Sequence, residues 1–332
     1  VALVVTGSTS AVSFGVFNTN WDGTSQVSAV AEETNTRTTV ARSVSDYPAA
    51  PSNDTLAVVL SPDEPYGNEA NTIRSYVRDG GTLLVAEDYG SGGNELLEAV
   101  GATARIDGRT LRDETRADPG PAFPEATVNS SHPTTTGVET LVLNHGSVVE
   151  PGNATVLANS SPFSYLDGNR NEALDESEVI TSHPVVTTEQ VGQGTVIVVS
   201  DPSIFLNAML DRGDNRAFLQ ALVEDRAHVV LDVSHTTALP PLVAARLALQ
   251  DSAPGIVILG ALSILAVLLA TDSRRSLPWR SSPDSDPTSG VAMSHDEIVR
   301  AVRERHEEWT DERIARVTDS LIQADDNDRT DD

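Results

Sequence analysis

The chain has 332 residues, with 22 basic against 49 acidic side chains and a formal net charge of −27. Every basic residue is arginine and cysteine is absent. Disulfides, thiolate metal sites and cysteine nucleophiles are thereby excluded, and no basic patch is visible that could hold a nucleic-acid backbone. Such an excess of carboxylates keeps a protein hydrated where salt screening is nearly complete, and in dilute buffer would push the fold apart.

In chain order, the opening VALVVTGSTSAVSFGVF holds no charge, the first being Asp22, and starts on Val1. Residues 1–19 read as the remnant of an N-terminal signal or anchor segment, with a buried first strand as the alternative. Residues 20–235 alternate short β-branched runs with helical patterns. LAVVLS (56–61), TLLVAE (82–87), TVIVVS (195–200) and HVVLDV (228–233) are nearly continuous apolar runs, as strands covered on both faces require. Between the first two, Ala70, Ile73, Tyr76 and Val77 recur at helical spacing and Gly80-Gly81 stops the helix, giving a βαβ unit. GNELLEAVGA predicts a second helix and DNRAFLQALV a third, linking the last two strands. The sum is an α/β domain with a mainly parallel sheet. The more polar TLVLNH (140–145) and TVLANS (155–160) predict an antiparallel extension carrying the loop after Leu166.

That loop, LDGNRNEALDESE, places Asp167, Asn169, Asn171, Asp175 and Glu178 at offsets 1, 3, 5, 9 and 12, the spacing of a calcium loop, with the carbonyl of Ala173 as a further ligand. Leu174 fits as the apolar anchor. Glu172 does not fit, because the sharp turn there favours glycine and a side chain at positive φ costs about 1 kcal/mol. Two neutral ligands imply weak, structural calcium binding over 167–178; a solvated acidic turn is the alternative.

The turn YGSGGNE, with Gly90, Gly92 and Gly93, could present N–H groups to an anion. Its spacing matches neither phosphate-loop pattern, and Glu87 and Asp88 beside it would repel phosphate, so a plain strand-to-helix turn is favoured. Asp201, Asn207 and Asn215 follow another strand and could line the same crevice, although capping explains them equally. His132, His145, His183, His228 and His235 read as ordinary loop or core residues, with no G-x-S-x-G elbow and no H-E-x-x-H pair in the chain.

Ala253–Ala270 runs eighteen residues without a charge, about 27 Å of helix, and Arg274, Arg275 and Arg280 follow. The expectation is a juxtamembrane segment (236–252), one transmembrane helix (253–271) and a cytoplasmic side beyond it. The sequons at Asn53, Asn129, Asn153 and Asn159 all precede the span, in agreement with an outside location. A linker (272–293) leads to a small cytoplasmic helical hairpin (294–323), opened by the capping box Ser294 to Glu297, and to a disordered acidic tail (324–332).

The stretches VVLSPDEPYGNEANTIRSYVRDGGTLLVAEDYGSGGNELLEAVGA and GQGTVIVVSDPSIFLNAMLDRGDNRAFL, and more weakly RERHEEWTDERIARV, resemble the family of domain of unknown function 4350, in particular its membrane-anchored haloarchaeal members. The resemblance covers roughly residues 20–250. It implies a flavodoxin-like sheet of the class I glutamine amidotransferase-like kind with a ligand crevice at the carboxyl ends of the strands. The amidotransferase turn G-x-C-x-G is replaced here by AEDYGSGG, so the thiolate chemistry is missing.

These readings lead to the expectation of a non-enzymatic, membrane-anchored binding or scaffolding protein of a halophilic archaeon's cell membrane. Its main domain would be extracellular and braced by calcium. Its partners would be envelope proteins outside and a cytoplasmic protein on the hairpin, with no nucleic acid. The competing expectation is a hydrolase of envelope glycans or peptides using Glu87, Asp88 and Asp201.

Overall fold

The computed structural model describes residues 12–48, 51 and 54–236. The 253–271 span, the linker, the hairpin and the tail lie outside the described residues, as does Asn53. Among the described residues no helix is long and apolar enough to cross a membrane.

The first half contains helix α1 (Ser25–Glu33), strands β1 (Arg37–Ala41) and β2 (Thr55–Leu60), helix α2 (Ala70–Arg78), β3 (Thr82–Ala86) and helix α3 (Gly92–Val100). Short strands follow: β4 (Arg105–Ile106), β5 (Thr110–Asp113), β6 (Glu125–Val128), β7 (Thr140–Val142), β8 (Val149–Glu150), β9 (Thr155–Ser160) and β10 (Ser164–Asp167). The chain then returns through β11 (Pro184–Val191), β12 (Gly194–Val199), helix α4 (Asn215–Val223) and β13 (His228–Asp232).

Nine strands form one sheet in the order β1-β13-β2-β3-β12-β11-β9-β6-β7. The first five pair in parallel and the last four antiparallel, with β12 at the junction. The apolar runs behave as doubly covered strands should. Leu56, Val58, Leu84, Ile197 and Val229 face α1 and α4 with Val30, Phe218 and Leu222. Ala57, Val59, Leu83, Val85, Val198 and Val230 face α2 and α3 with Ile73, Leu96 and Leu97. This is a mixed α/β fold with helices on both faces of a large sheet whose parallel half is its core. β5 and β10 form a separate two-stranded ribbon that carries the 167–178 loop. Residues 12–24 pack on the domain as turns, Phe14 and Val16 against its apolar clusters.

The outer edge of β7 is closed by the turn leading into α4. Asp214 Oδ2 accepts from the N–H groups of Glu139 and Thr140 at 2.9 and 3.0 Å, and the Asp214 N–H donates to Thr140 O at 2.8 Å. Asn215, 1% exposed, accepts from the Val142 N–H at 3.1 Å and donates to the carbonyls of Val142 and Met209, each at 2.9 Å. One carboxamide thus satisfies three buried backbone groups. Asn215→Ala leaves all three without partners and is expected to lower unfolding free energy by about 2–4 kcal/mol in a denaturant titration. A loss below about 1 kcal/mol would mean that β7 is held by other contacts.

Candidate functional site

Glu87 and Asp88 follow β3, and Asp201 follows its parallel neighbour β12. Beyond these residues the chain departs to opposite faces: α3 packs on one, and the 3-10 turn Pro202–Phe205 and α4 pack on the other. Adjacent strands that part in this way form the crevice in which open α/β sheets hold ligands.

Here the crevice is filled by the protein's own side chains. Glu87 is 2% exposed, and its Oε1 accepts from the N–H groups of Asp88 at 3.2 Å and Gly90 at 3.1 Å. A Cβ at Gly90 would stand 2.6 Å from Glu87 Oε2, and one at Gly93 would stand 2.9 Å from Glu87 Cβ. The glycine-rich turn is therefore shaped around this carboxylate, which takes the place at the start of α3 where a phosphate could otherwise sit. Burial pushes the Glu87 pKa up against the lowering pull of the turn N–H groups. Its Oε2 is buried without a partner.

Asp201 is wholly buried. Its Oδ1 caps the 3-10 turn by accepting from Ser203 N–H at 2.7 Å, and its Oδ2 accepts from Asn144 N–H at 2.5 Å. Gly146 lies so close that a Cβ there would be 2.6 Å from Asp201 Cβ. Ser147 N–H donates to Ser200 O and Ser200 Oγ to Ser147 O, each at 2.8 Å. The segment 143–148 is thus laced across the carboxyl end of β12. Desolvation first, and then the Asp88 charge, raise Asp201 to about 7 despite the opposing N–H donors.

Asp88 is half-buried and raised by desolvation, with the Arg170 guanidinium pulling it down. Arg170 belongs to the 167–178 loop, and its Cζ stands 4.7 Å from the centre of the Tyr89 ring. The Tyr89 hydroxyl donates to His145 O and to Thr110 Oγ1. The acidic loop therefore reaches the crevice, a contact that joins residues 81 positions apart and leaves no local signal in the sequence. Of the other crevice candidates, Gly90 and Gly92 belong to the turn itself. Asn207 and Asn215 do not join the site: Asn207 holds the carbonyls of Asn18 and Asn20, and Asn215 holds the β7 edge.

In the loop, Asp167 is 1% exposed and its two oxygens accept from the N–H groups of Asn171 and Glu172. The amides of Asn169 and Asn171 meet Asp175 Oδ2 at 2.7 and 3.0 Å, and Glu178 accepts from Gly168 and Asp175 N–H. Glu172 adopts φ 62°, so the left-handed turn forms without glycine. The loop is held by its own hydrogen bonds: the Oδ1 atoms of Asn169 and Asn171 accept from the N–H groups of Asn171 and Ala173, while their amide nitrogens donate to Asp175. Among the described residues, no group of three or more His, Asp or Glu side chains is arranged to hold a metal by itself.

A second polar cluster, absent from the sequence reading, closes the carboxyl end of β13. Asp232, 5% exposed, accepts from Tyr47 Oη at 2.6 Å, Tyr66 Oη at 3.2 Å and Ser234 Oγ at 2.6 Å. Burial, reinforced by the Asp232 carboxylate, pushes both phenols up. His235 stacks on Tyr66 with ring centres 3.8 Å apart. The remaining histidines are dispersed: His145 sits over the crevice, His228 bonds Thr39, and His132 caps a short turn. Burial lowers His183, and the nearby Arg109 lowers it further. Of the sequons, Asn129, Asn153 and Asn159 are exposed.

Residues 16–223 match the family described as domain of unknown function (DUF4350), well over half of the chain. The chain belongs to this family. The match runs from the turns before α1 to the end of α4 and takes in Glu87, Asp88 and Asp201 of the crevice. No curated protein matches this family member. Solved structures with some likeness include the mmIFT52 N-terminal domain, at 16% identity and TM-score 0.39, covering 50% of this chain and 74% of that one. Others are the cytoplasmic protein STM1381 of Salmonella typhimurium LT2 (15%, TM-score 0.34, 61% and 83%) and a β-galactosidase of Bacillus circulans sp. alkalophilus (16%, TM-score 0.31, 57% and 22%). The chain spans only about a fifth of the length of that β-galactosidase.

The buried acid of the crevice carries a pH signature. A carboxyl raised in the folded state binds a proton there that the unfolded chain has released, so stability is full below 3.8 and declines as pH rises to about 7. Relative to Asp201→Asn, the wild-type protein is expected to lose stability on the order of 1 kcal/mol per pH unit across that window, read by denaturant titrations. Parallel profiles for the two proteins would remove Asp201 from the account.

Proposed function

We propose that this protein is a non-enzymatic, membrane-anchored binding or scaffolding protein in the cell envelope of a halophilic archaeon. In this reading residues 20–235 face outward as a flavodoxin-like, amidotransferase-like domain without its nucleophile. The 253–271 helix crosses the membrane, and the 294–323 hairpin meets a cytoplasmic partner. The observation that carries the reading is the engagement of Glu87 and Asp201 with their own backbone, which turns the crevice of the fold into packed structure. The absence of cysteine from the sequence and the four sequons ahead of the apolar span agree with it.

The same reading makes Asp167, Asn169, Asn171, Ala173, Asp175 and Glu178 a calcium site that braces the β5–β10 ribbon. The spacing of these residues in the sequence, at offsets 1, 3, 5, 9 and 12, supports it. In the full chain in molar salt, calcium near 10 mM is expected to raise the melting temperature by about 3–6 °C, given a dissociation constant in the sub-millimolar to millimolar range. Asp167→Ala and Glu178→Ala should each abolish the rise. A melting temperature indifferent to calcium, or a rise that survives both substitutions, returns the loop to an acidic turn. The outward orientation is checked separately by protease treatment of intact cells, which should remove the domain and spare the tail.

One observation favours a carboxylate hydrolase instead. Asp201 is held up to about 7 with Glu87 also raised, and carboxyls perturbed in this way are characteristic of acid–base catalysts. Hydrolysis of chromogenic glycosides or casein by the wild-type protein, lost in Asp201→Asn, would establish that reading over the binding one.

A further inference from the structure

At the opposite end of the sheet from the crevice lies a groove of about 650 Å³, within the range of small-molecule sites. Its floor is made by four neighbouring strands. Thr82 of β3 pairs with Thr195 of β12, which pairs with Gln190 of β11. One step further along, Ile197 of β12 pairs with Thr188 of β11, which pairs with Thr155 of β9. All six line the groove, and five of them, Thr82, Thr195, Gln190, Thr188 and Thr155, carry hydrogen-bonding side chains, with Ile197 as an apolar point between them. Adjacent strands lie about 4.8 Å apart, close to the length of one sugar ring in an extended oligosaccharide.

The walls are chemically neutral. Glu189 is engaged by Thr103, whose N–H and hydroxyl donate to its two oxygens at 2.7 and 2.9 Å. Arg226 donates to Thr82 Oγ1 at 3.1 Å and to Leu222 O at 3.2 Å. One charge of each sign, both held by the protein, gives no preference for an ionic ligand. Apart from the apolar Ile197, the other lining groups can both give and take hydrogen bonds. Gln190 donates to Thr195 Oγ1 at 2.8 Å and keeps its carbonyl oxygen for a ligand hydroxyl. His132 Nδ1 accepts from Thr134 N–H at 3.3 Å, which places the proton of the neutral ring on Nε2 as a donor. Thr188 is 8% exposed and its backbone is held in β11, so its hydroxyl is the part of it that faces the groove. A lining of hydroxyls and carboxamides complements a polyol, whose hydroxyls are likewise donors and acceptors.

We infer that this groove binds a neutral oligosaccharide of two or three sugar units. Two sources share that chemistry. One is a free or wall-bound envelope glycan. The other is a glycan on Asn153, which stands on a turn closed by the Ala154 N–H to Pro151 O bond and, with Thr155 of the same sequon, lines the groove. The inference depends on the proposed outward location only for the source of the sugar, and the binding measurement does not require that location.

The test titrates the full chain, produced without glycosylation, with maltotriose, cellotriose, mannotriose and the charged trigalacturonate, by calorimetry. At least one neutral trisaccharide is expected to bind saturably, and Thr188→Val and Gln190→Ala are each expected to weaken it about fivefold to tenfold, the effect of one hydrogen bond. Binding by none of the neutral sugars, preference for trigalacturonate, or affinity untouched by both substitutions overturns the inference. Protein from a glycosylating host then separates the sources. Trisaccharide binding that is blocked there and restored by Asn153→Gln identifies the protein's own glycan, and equal binding by the two identifies an external one. Calcium-free or inward-facing protein would still bind, so failure of the groove is distinguishable from failure of the proposed function.

Discussion

Strand β12 has parallel β3 on one side and antiparallel β11 on the other, and the rest of the molecule is arranged by that choice. Its side toward β3 lies between two helical layers, which is why Gly194–Val199 is almost uninterrupted aliphatic sequence. Its side toward β11 begins a region of shorter, more polar strands. At its carboxyl end Asp201 must cap the next turn and hold the 143–148 segment at once, and it does so as a fully buried group. A carboxyl in that position is tolerated because two N–H donors face it and because it can retain its proton near neutrality.

The two ends of the sheet differ in kind. At the carboxyl ends, acidic side chains are folded inward and matched by backbone donors, so the crevice common to such folds is packed. At the amino ends of β3 and β12, threonines and carboxamides remain at an open groove. The 167–178 loop belongs to the first end through the stacking of Arg170 on Tyr89, so any rearrangement of the loop is felt beside Asp88.

Much of the α/β framework was legible in the sequence because β2, β3, β12 and β13 are doubly buried, and burial on both faces writes a continuous apolar run. Helices α2, α3 and α4 were equally readable from the spacing of Ile73, Leu96 and Phe218 with their neighbours. Helix α1 and strand β1 were not, since SQVSAVAEE and RTTVA are small and polar and take their burial from α4 and β13. β11 was missed for the same reason: PVVTTEQV carries polar residues toward the groove. At the crevice, Glu87 and Asp88 follow β3 and Asp201 follows β12, but nothing local reveals that a glycine turn closes on one and Gly146 on another. Asn207 and Asn215 tie down distant backbone, one of the two roles the sequence left open, because an asparagine after a strand reads alike whether it lines a cleft or holds a loop.

The closed edge at β7 has a consequence for assembly. An unpaired strand edge is a template on which another chain can add, leading to domain swapping or fibrous aggregates. With Asp214 and Asn215 already bonded to the outward groups of Thr140 and Val142, no tenth strand can be accepted there. A turn whose first task is to start a helix thus also protects this end of the sheet from uncontrolled polymerisation.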